Sequence, residues 1–233
     1  APKDVIEPED GCFVSWSGNK FEWLNLDIDM TMPSDLKKVV NGKRTEESPI
    51  LHVGTKIQKW EDFTAEVSID PFEHVDLPGY VFTADEAIID LASGSNHTKM
   101  GSFPEGYKLE SLGLAKGKEK EWTGLYIKEL SMAFPSSIKI GNGKEPMKVA
   151  VENLFIDKSG FTLDCGVVNA INYKAGESGT IGGFKFSLDK VMVSIVQNDF
   201  KKFGFNGKLE IPLFKGEIDY ACNIYNQSFT GKG

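Results

Sequence analysis

The sequence predicts an all-β chain, either an antiparallel β-sandwich or an elongated β assembly, with little helix. Three observations carry that expectation. Apolar residues recur with the two-residue period of a strand, Gly, Pro and Asn-Gly break the runs at short intervals, and no window sustains a 3.6-residue apolar period. The landmarks also occur twice in the same order, which points to two internal repeats.

The clearest repeated stretch is Gly183-Phe184-Lys185-Phe186-Ser187-Leu188-Asp189-Lys190-Val191-Met192-Val193, with an imperfect copy in Gly79-Tyr80-Val81-Phe82-Thr83-Ala84-Asp85-Glu86-Ala87-Ile88-Ile89. In each, the apolar residues hold one parity and then adopt the other. A strand with one buried face cannot make that change without an irregularity, so a bulge or tight turn is expected at Asp85-Glu86 and at Asp189-Lys190. Phe82 and Phe186 are expected in equivalent buried positions.

Taken in order, residues 1–20 are a polar, Pro-containing lead-in ending in a short strand, Phe13 to Trp16. The first repeat, 21–121, opens with Leu24, Leu26, Ile28, Met30 and Met32 alternating with polar residues, a strand with one buried and one wet face. The stretch from Pro33 to Val40 has the composition for one helical turn, and Asn41-Gly42 signals a tight turn. A weaker strand follows at Leu51 to Ile57, then a clean alternation through Phe63, Ala65, Val67 and Ile69. Over 93–121 the pattern dissolves into Gly, Ser, Lys and Glu, which reads as a long loop or connection between repeats.

The second repeat, 122–233, answers these landmarks. Met132-Ala133-Phe134-Pro135 matches Met30-Thr31-Met32-Pro33, Asn142-Gly143 matches Asn41-Gly42, and Phe161, Leu163, Cys165 and Val167 match the Phe63 to Ile69 strand. A C-terminal hairpin follows, with Pro212 placing its outgoing strand at an edge or a bulge.

Acidic residues number 34 against 26 basic ones, and the positive charges are dispersed. Nucleic acid is therefore not an expected partner, because it is bound through concentrated Lys and Arg. No apolar run reaches the roughly 20 residues that span a bilayer, so no membrane insertion is expected. Cys12, Cys165 and Cys222 are too few and too scattered for a disulfide framework or a metal knuckle, and Cys165 and Cys222 occupy apolar slots suited to buried thiols. The chain begins at Ala1-Pro2-Lys3 and ends at Gly231-Lys232-Gly233, as a piece of a longer extracellular or surface-associated protein would.

Chemistry is sparse. His52, His74 and His97 show no metal-ligand spacing, no Gly-x-Ser-x-Gly elbow marks a nucleophile, and no calcium loop or phosphate loop is present. No catalytic residue, metal ligand or cofactor is assigned. Adjacent acidic pairs such as Glu61-Asp62, Asp85-Glu86 and Glu217 with Asp219 match the residue type of glycoside hydrolysis and also the wet face of any strand. The binding candidates are Trp60, in a turn-like stretch where an indole would be free to stack on a sugar, and Phe103 and Tyr107, the aromatic anchors within 93–121. The leading expectation is a non-catalytic structural, adhesive or binding module with a protein or glycan partner. The alternatives are a carboxylate-based glycan hydrolase on a β-sandwich and a β-groove that carries an apolar ligand.

Overall fold

The computed structural model describes residues 11–135, 148–171, 180–181, 184–211 and 216–225. All strand pairing in it is antiparallel, and helix is confined to three short 3-10 turns. The strands are β1 (Phe13–Ser17), β2 (Lys20–Thr31), β3 (Leu36–Val40), β4 (Lys43–Arg44), β5 (Ile50–Ile57), β6 (Thr64–Ile69), β7 (Phe72–His74), β8 (Val81–Asp90), β9 (Gly124–Ala133), β10 (Lys148–Asp157), β11 (Gly160–Ile171), β12 (Thr180–Ile181), β13 (Phe184–Phe186), β14 (Leu188–Val196), β15 (Asp199–Ile211) and β16 (Gly216–Tyr225). No helix among the described residues is long and apolar enough to cross a membrane.

One continuous sheet runs β1-β2-β5-β6-β8-β9-β10-β11-β14-β15, with β16 on the far side of β15 and the short strands β3, β4 and β7 branching beside β8. Consecutive long strands lie side by side, across the tight turn from β10 to β11 and across the longer connections from β2 to β5 and from β8 to β9 alike. The strand expected at Phe13 to Trp16 is β1, the alternation from Leu24 lies in β2, and Asn41-Gly42 joins β3 to β4 with both residues at positive φ, 52° and 71°. The run after Pro33 is not helical. Leu36 N–H bonds the Pro33 carbonyl at 3.0 Å and the chain turns directly into β3, whose β-branched Val39 and Val40 favour extension.

The expected irregularity at Asp85-Glu86 is present in a different form. Glu86 takes φ of 46° and its rung is missing, yet Asp85 pairs Glu129 and Ala87 pairs Ile127, so β8 and β9 stay in register. Asn153, across β9 from Glu86, is also left-handed at φ 49°, and β10 carries one extra residue against β11 there. In the second stretch the irregularity lies at the expected Asp189, where two residues of β11 between Val168 and Ile171 stand against one of β14, and it extends to Ser187. Ser187 leaves the ladder to bond Lys208, its N–H donating to the Lys208 carbonyl and its Oγ accepting from the Lys208 N–H. Phe82 and Phe186 are half-buried rather than buried, Phe82 stacking on Phe72 with ring centroids 5.4 Å apart. The 136–147 landmark, Pro212 and the first ten residues lie outside the described residues.

The segment 93–121 is the expected long connection, joining β8 to β9, and it does more than connect. It folds across the sheet as a cover with two 3-10 turns, Leu109–Leu112 and Glu119–Glu121, and seals an apolar core cluster. From the sheet, Ile88, Tyr126 and Phe155 form a row across β8, β9 and β10; Trp122 and Leu112 complete the cluster, with Met100, Phe103, Tyr107 and Leu114 packed against it. Two of the segment's glycines have structural work here. Gly113 ends its turn at φ 75°, and at Gly101 a Cβ would lie 2.7 Å from the Tyr126 hydroxyl. The glycine content that reads as a linker is what lets the chain turn and approach the sheet closely.

Gly124 tests this packing. A Cβ there would stand 2.4 Å from the Ile156 carbonyl oxygen and 2.6 Å from Trp122 Cζ2, and neither neighbour can withdraw without breaking a ladder bond or the core. We expect Gly124→Ala to lower unfolding free energy by about 1–3 kcal/mol in denaturant titration, the usual cost of overpacking.

Candidate functional site

Two features lie on the same face of the sheet as the cover. The first is apolar. Opposite residues on paired strands share a face, and two complete rows cross seven strands, β8 to β11 and β14 to β16. One row runs Phe82, Met132, Val149, Val167, Val191, Phe205 and Cys222; the next runs Ala84, Leu130, Val151, Cys165, Val193, Phe203 and Ile224. None of the fourteen is buried, and Leu130 and Ile224 are 36% and 55% exposed. Seven strands at 4.8 Å spacing make a strip about 29 Å long. Cys165 and Cys222, expected as buried thiols, are half-buried, because among the described residues no second layer covers the rows that hold them.

The face behind the strip is polar. Asp85, Glu129, Glu152 and Asp164 stand opposite one another on four adjacent strands. Lys148 pairs Glu129, whereas Glu152 has a carboxylate on each side.

The second feature is a cleft of about 480 Å³ where β8 parts from β6. Below Ala87, β8 pairs with β7 at Phe82 instead of with β6, and the gap is walled by His52 and Gly54 of β5, Glu66 and Ser68 of β6, Glu86 and Ile88 of β8, and His97 and Lys99 of the cover. Glu66 receives Lys99 Nζ at 2.6 Å and lies 3.3 Å from His97 Nε2. The Lys99 hydrogen bond, outweighing the effect of burial, holds the Glu66 carboxyl below the usual carboxylate range. His52 Nδ1 lies 2.8 Å from Asp29 and its Nε2 3.4 Å from Asp27. Glu86 pairs with Lys128 at 2.9 Å.

A general acid needs a carboxyl raised toward neutrality, and Glu66 is displaced the other way by an ammonium group. Among the described residues no aromatic ring that could carry a sugar lines the cleft. No set of three or more His, Cys, Asp or Glu among the described residues is arranged to hold a metal ion.

The candidates read from sequence lie elsewhere. Trp60 starts the 3-10 turn Trp60–Asp62, and its side chain is outside the described residues. Phe103 and Tyr107 are stacked at 4.6 Å and turned into the core cluster, so they anchor the cover to the sheet. The Tyr107 hydroxyl donates to Asp157, Trp122 Nε1 donates to the same carboxylate oxygen at 2.9 Å, and the Ser159 N–H and Oγ–H donate to the other at 2.7 and 2.6 Å. Burial pushes the Asp157 carboxyl up, but the donors from Ser159, Tyr107 and Trp122 together hold it below its ordinary value. The same arrangement, with burial first and the hydrogen bond to Asp157 second, drives the Tyr107 phenol well above its own.

Sequence reasoning missed the cleft because its parts are strand residues and cover residues brought together only by register. The single local hint, Asp27 and Asp29 on one parity of β2, reads as an ordinary wet face until His52 is set opposite. Compared with protein-family models, curated proteins and solved structures, the chain matches none.

Asp157 carries a testable consequence. Its folded pKa is depressed, so its stabilisation is present above the ordinary carboxylate range near pH 4 and is lost as pH falls through the lower folded value. Asp157→Asn should cost about 1–3 kcal/mol at neutral pH, speed proteolysis within 93–121, and flatten the acid limb of stability against pH. Unfolding titrations from pH 2 to 7 read all but the proteolysis.

Proposed function

We propose that the chain is a non-catalytic binding module whose interaction surface is the uncovered apolar strip. The observation that carries this reading is the pair of apolar rows on seven adjacent strands, all fourteen residues at least partly exposed. Soluble domains keep exposed apolar patches small, and a continuous one marks a place where something binds. A sealed sandwich would bury these rows between sheets, and an enzyme would need its chemistry where the strip offers only aliphatic, Phe, Met and Cys side chains. Of the readings open from sequence, the groove for an apolar ligand accounts for the strip directly.

The scaffold reading extends to its origin. The strands β2, β5, β6 and β8 are laid in the order that β9, β10, β11 and β14 repeat, and the short pairings β7 with β8 and β12 with β13 occupy corresponding places. This order supports duplication of a meander, with the segment 93–121 inserted between the copies and used to close the core of one end.

An apolar fluorophore such as N-phenyl-1-naphthylamine tests the surface. We expect saturable binding that weakens at least about tenfold in Leu130→Glu, since a carboxylate in mid-strip must be desolvated by any apolar ligand. Ile224→Glu at the edge strand should weaken it less. Undiminished binding in Leu130→Glu, with an unchanged unfolding midpoint, would remove the strip as the site.

A further inference from the structure

We infer that the polar cleft is the head-group site for the ligand of the strip, and that this ligand is an amphiphile with a protonated amine in its head. The inference rests on reading the strip as the apolar binding face. Its first support is continuity. Glu66 stands opposite Ile88, Ile88 opposite Tyr126, and β9 carries Tyr126, Leu130 and Met132 on one face with no register shift against either neighbour. The Glu66 wall of the cleft and the rows through Leu130 and Met132 therefore share a face. On β8 itself Glu86 belongs to the cleft and Ala84, two residues away, opens the strip.

The second support is charge. Glu66 and Glu86 line the cleft, and Asp27 and Asp29 close on His52 beside it, four carboxylates in all against the ammonium groups of Lys56, Lys99 and Lys128. Lys99 and Lys128 are engaged with Glu66 and Glu86, and Lys56 rests over the Trp23 ring at 5.1 Å. A phosphate or carboxylate head would enter a site with an excess of its own charge. An ammonium head finds carboxylate oxygens with acceptor capacity to spare. The cleft volume of about 480 Å³ lies within the range of small-ligand sites. A head held there places its chain at Ala84 and Phe82, the first positions of the rows.

The test uses three twelve-carbon probes below their micelle-forming concentrations: dodecylammonium, dodecyl maltoside and dodecyl phosphate, each displacing N-phenyl-1-naphthylamine from the intact chain. Dodecylammonium should displace at about tenfold lower concentration than dodecyl phosphate, the effect of one well-placed charge contact. The variant Glu86→Gln changes one exposed side chain of the cleft and should erase most of that preference. Glu152→Gln removes the same charge from the opposite face and should leave it intact. Equal displacement by the three heads, or loss of preference in both variants alike, would overturn the head-group assignment while leaving the strip. If Leu130→Glu weakens none of the probes, the strip reading itself falls.

Discussion

The Asp157 carboxylate is the point at which the cover is fastened to the sheet, and the core depends on that fastening. One of its oxygens accepts from Tyr107 and Trp122 and the other from Ser159, so a single side chain joins the cover, the entry to β9 and the turn between β10 and β11. Gln197 adds a second clasp, its amide exchanging two hydrogen bonds with the Lys108 backbone at 3.0 and 2.8 Å. Both clasps are polar and sit beside an apolar cluster, so they add direction to a hydrophobic contact that has none of its own. Without them Trp122, 0% exposed, and Phe155 would be the outer face of a one-layer sheet.

A one-layer sheet leaves a problem that the cover solves for only part of its area. The cover spans the row Ile88, Tyr126 and Phe155 and stops near the level where Glu86 and Asn153 interrupt the ladders on both sides of Lys128. Past that line the face remains apolar, and among the described residues it has no second layer. The left-handed residues coincide with the boundary between a sealed core and an open strip, and the polar cleft opens beside them. Strained backbone at such a boundary is consistent with a site, since regular pairing there would have closed the gap between β6 and β8.

The opposite face obeys a different balance. Asp85, Glu129, Glu152 and Asp164 form an uninterrupted acidic row, a costly arrangement for adjacent strands. It keeps that face hydrated, so the two sides of the same strands have opposite characters. Alternation with period two is the physical origin of both, because each strand must place every second side chain on each side.

What the sequence determined by itself follows from that local alternation. The all-β class, the antiparallel pairing, the Asn41-Gly42 turn and the strands through Phe63 to Ile69 and Phe161 to Val167 were legible because each depends on neighbours one to a few residues apart. Legibility failed where long-range placement decides. Residues 93–121 lack alternation because they cover a sheet instead of joining one, and their glycines look the same in a linker as in a close-packed turn. Phe103 and Tyr107 were recognisable as anchors, but only the fold decides whether an aromatic anchors a ligand or its own chain. The cleft unites His52, Glu66, Glu86 and Lys99, whose sequence neighbours say nothing of one another. Register alone makes them a site, and register across sixteen strands is a property of the assembled sheet.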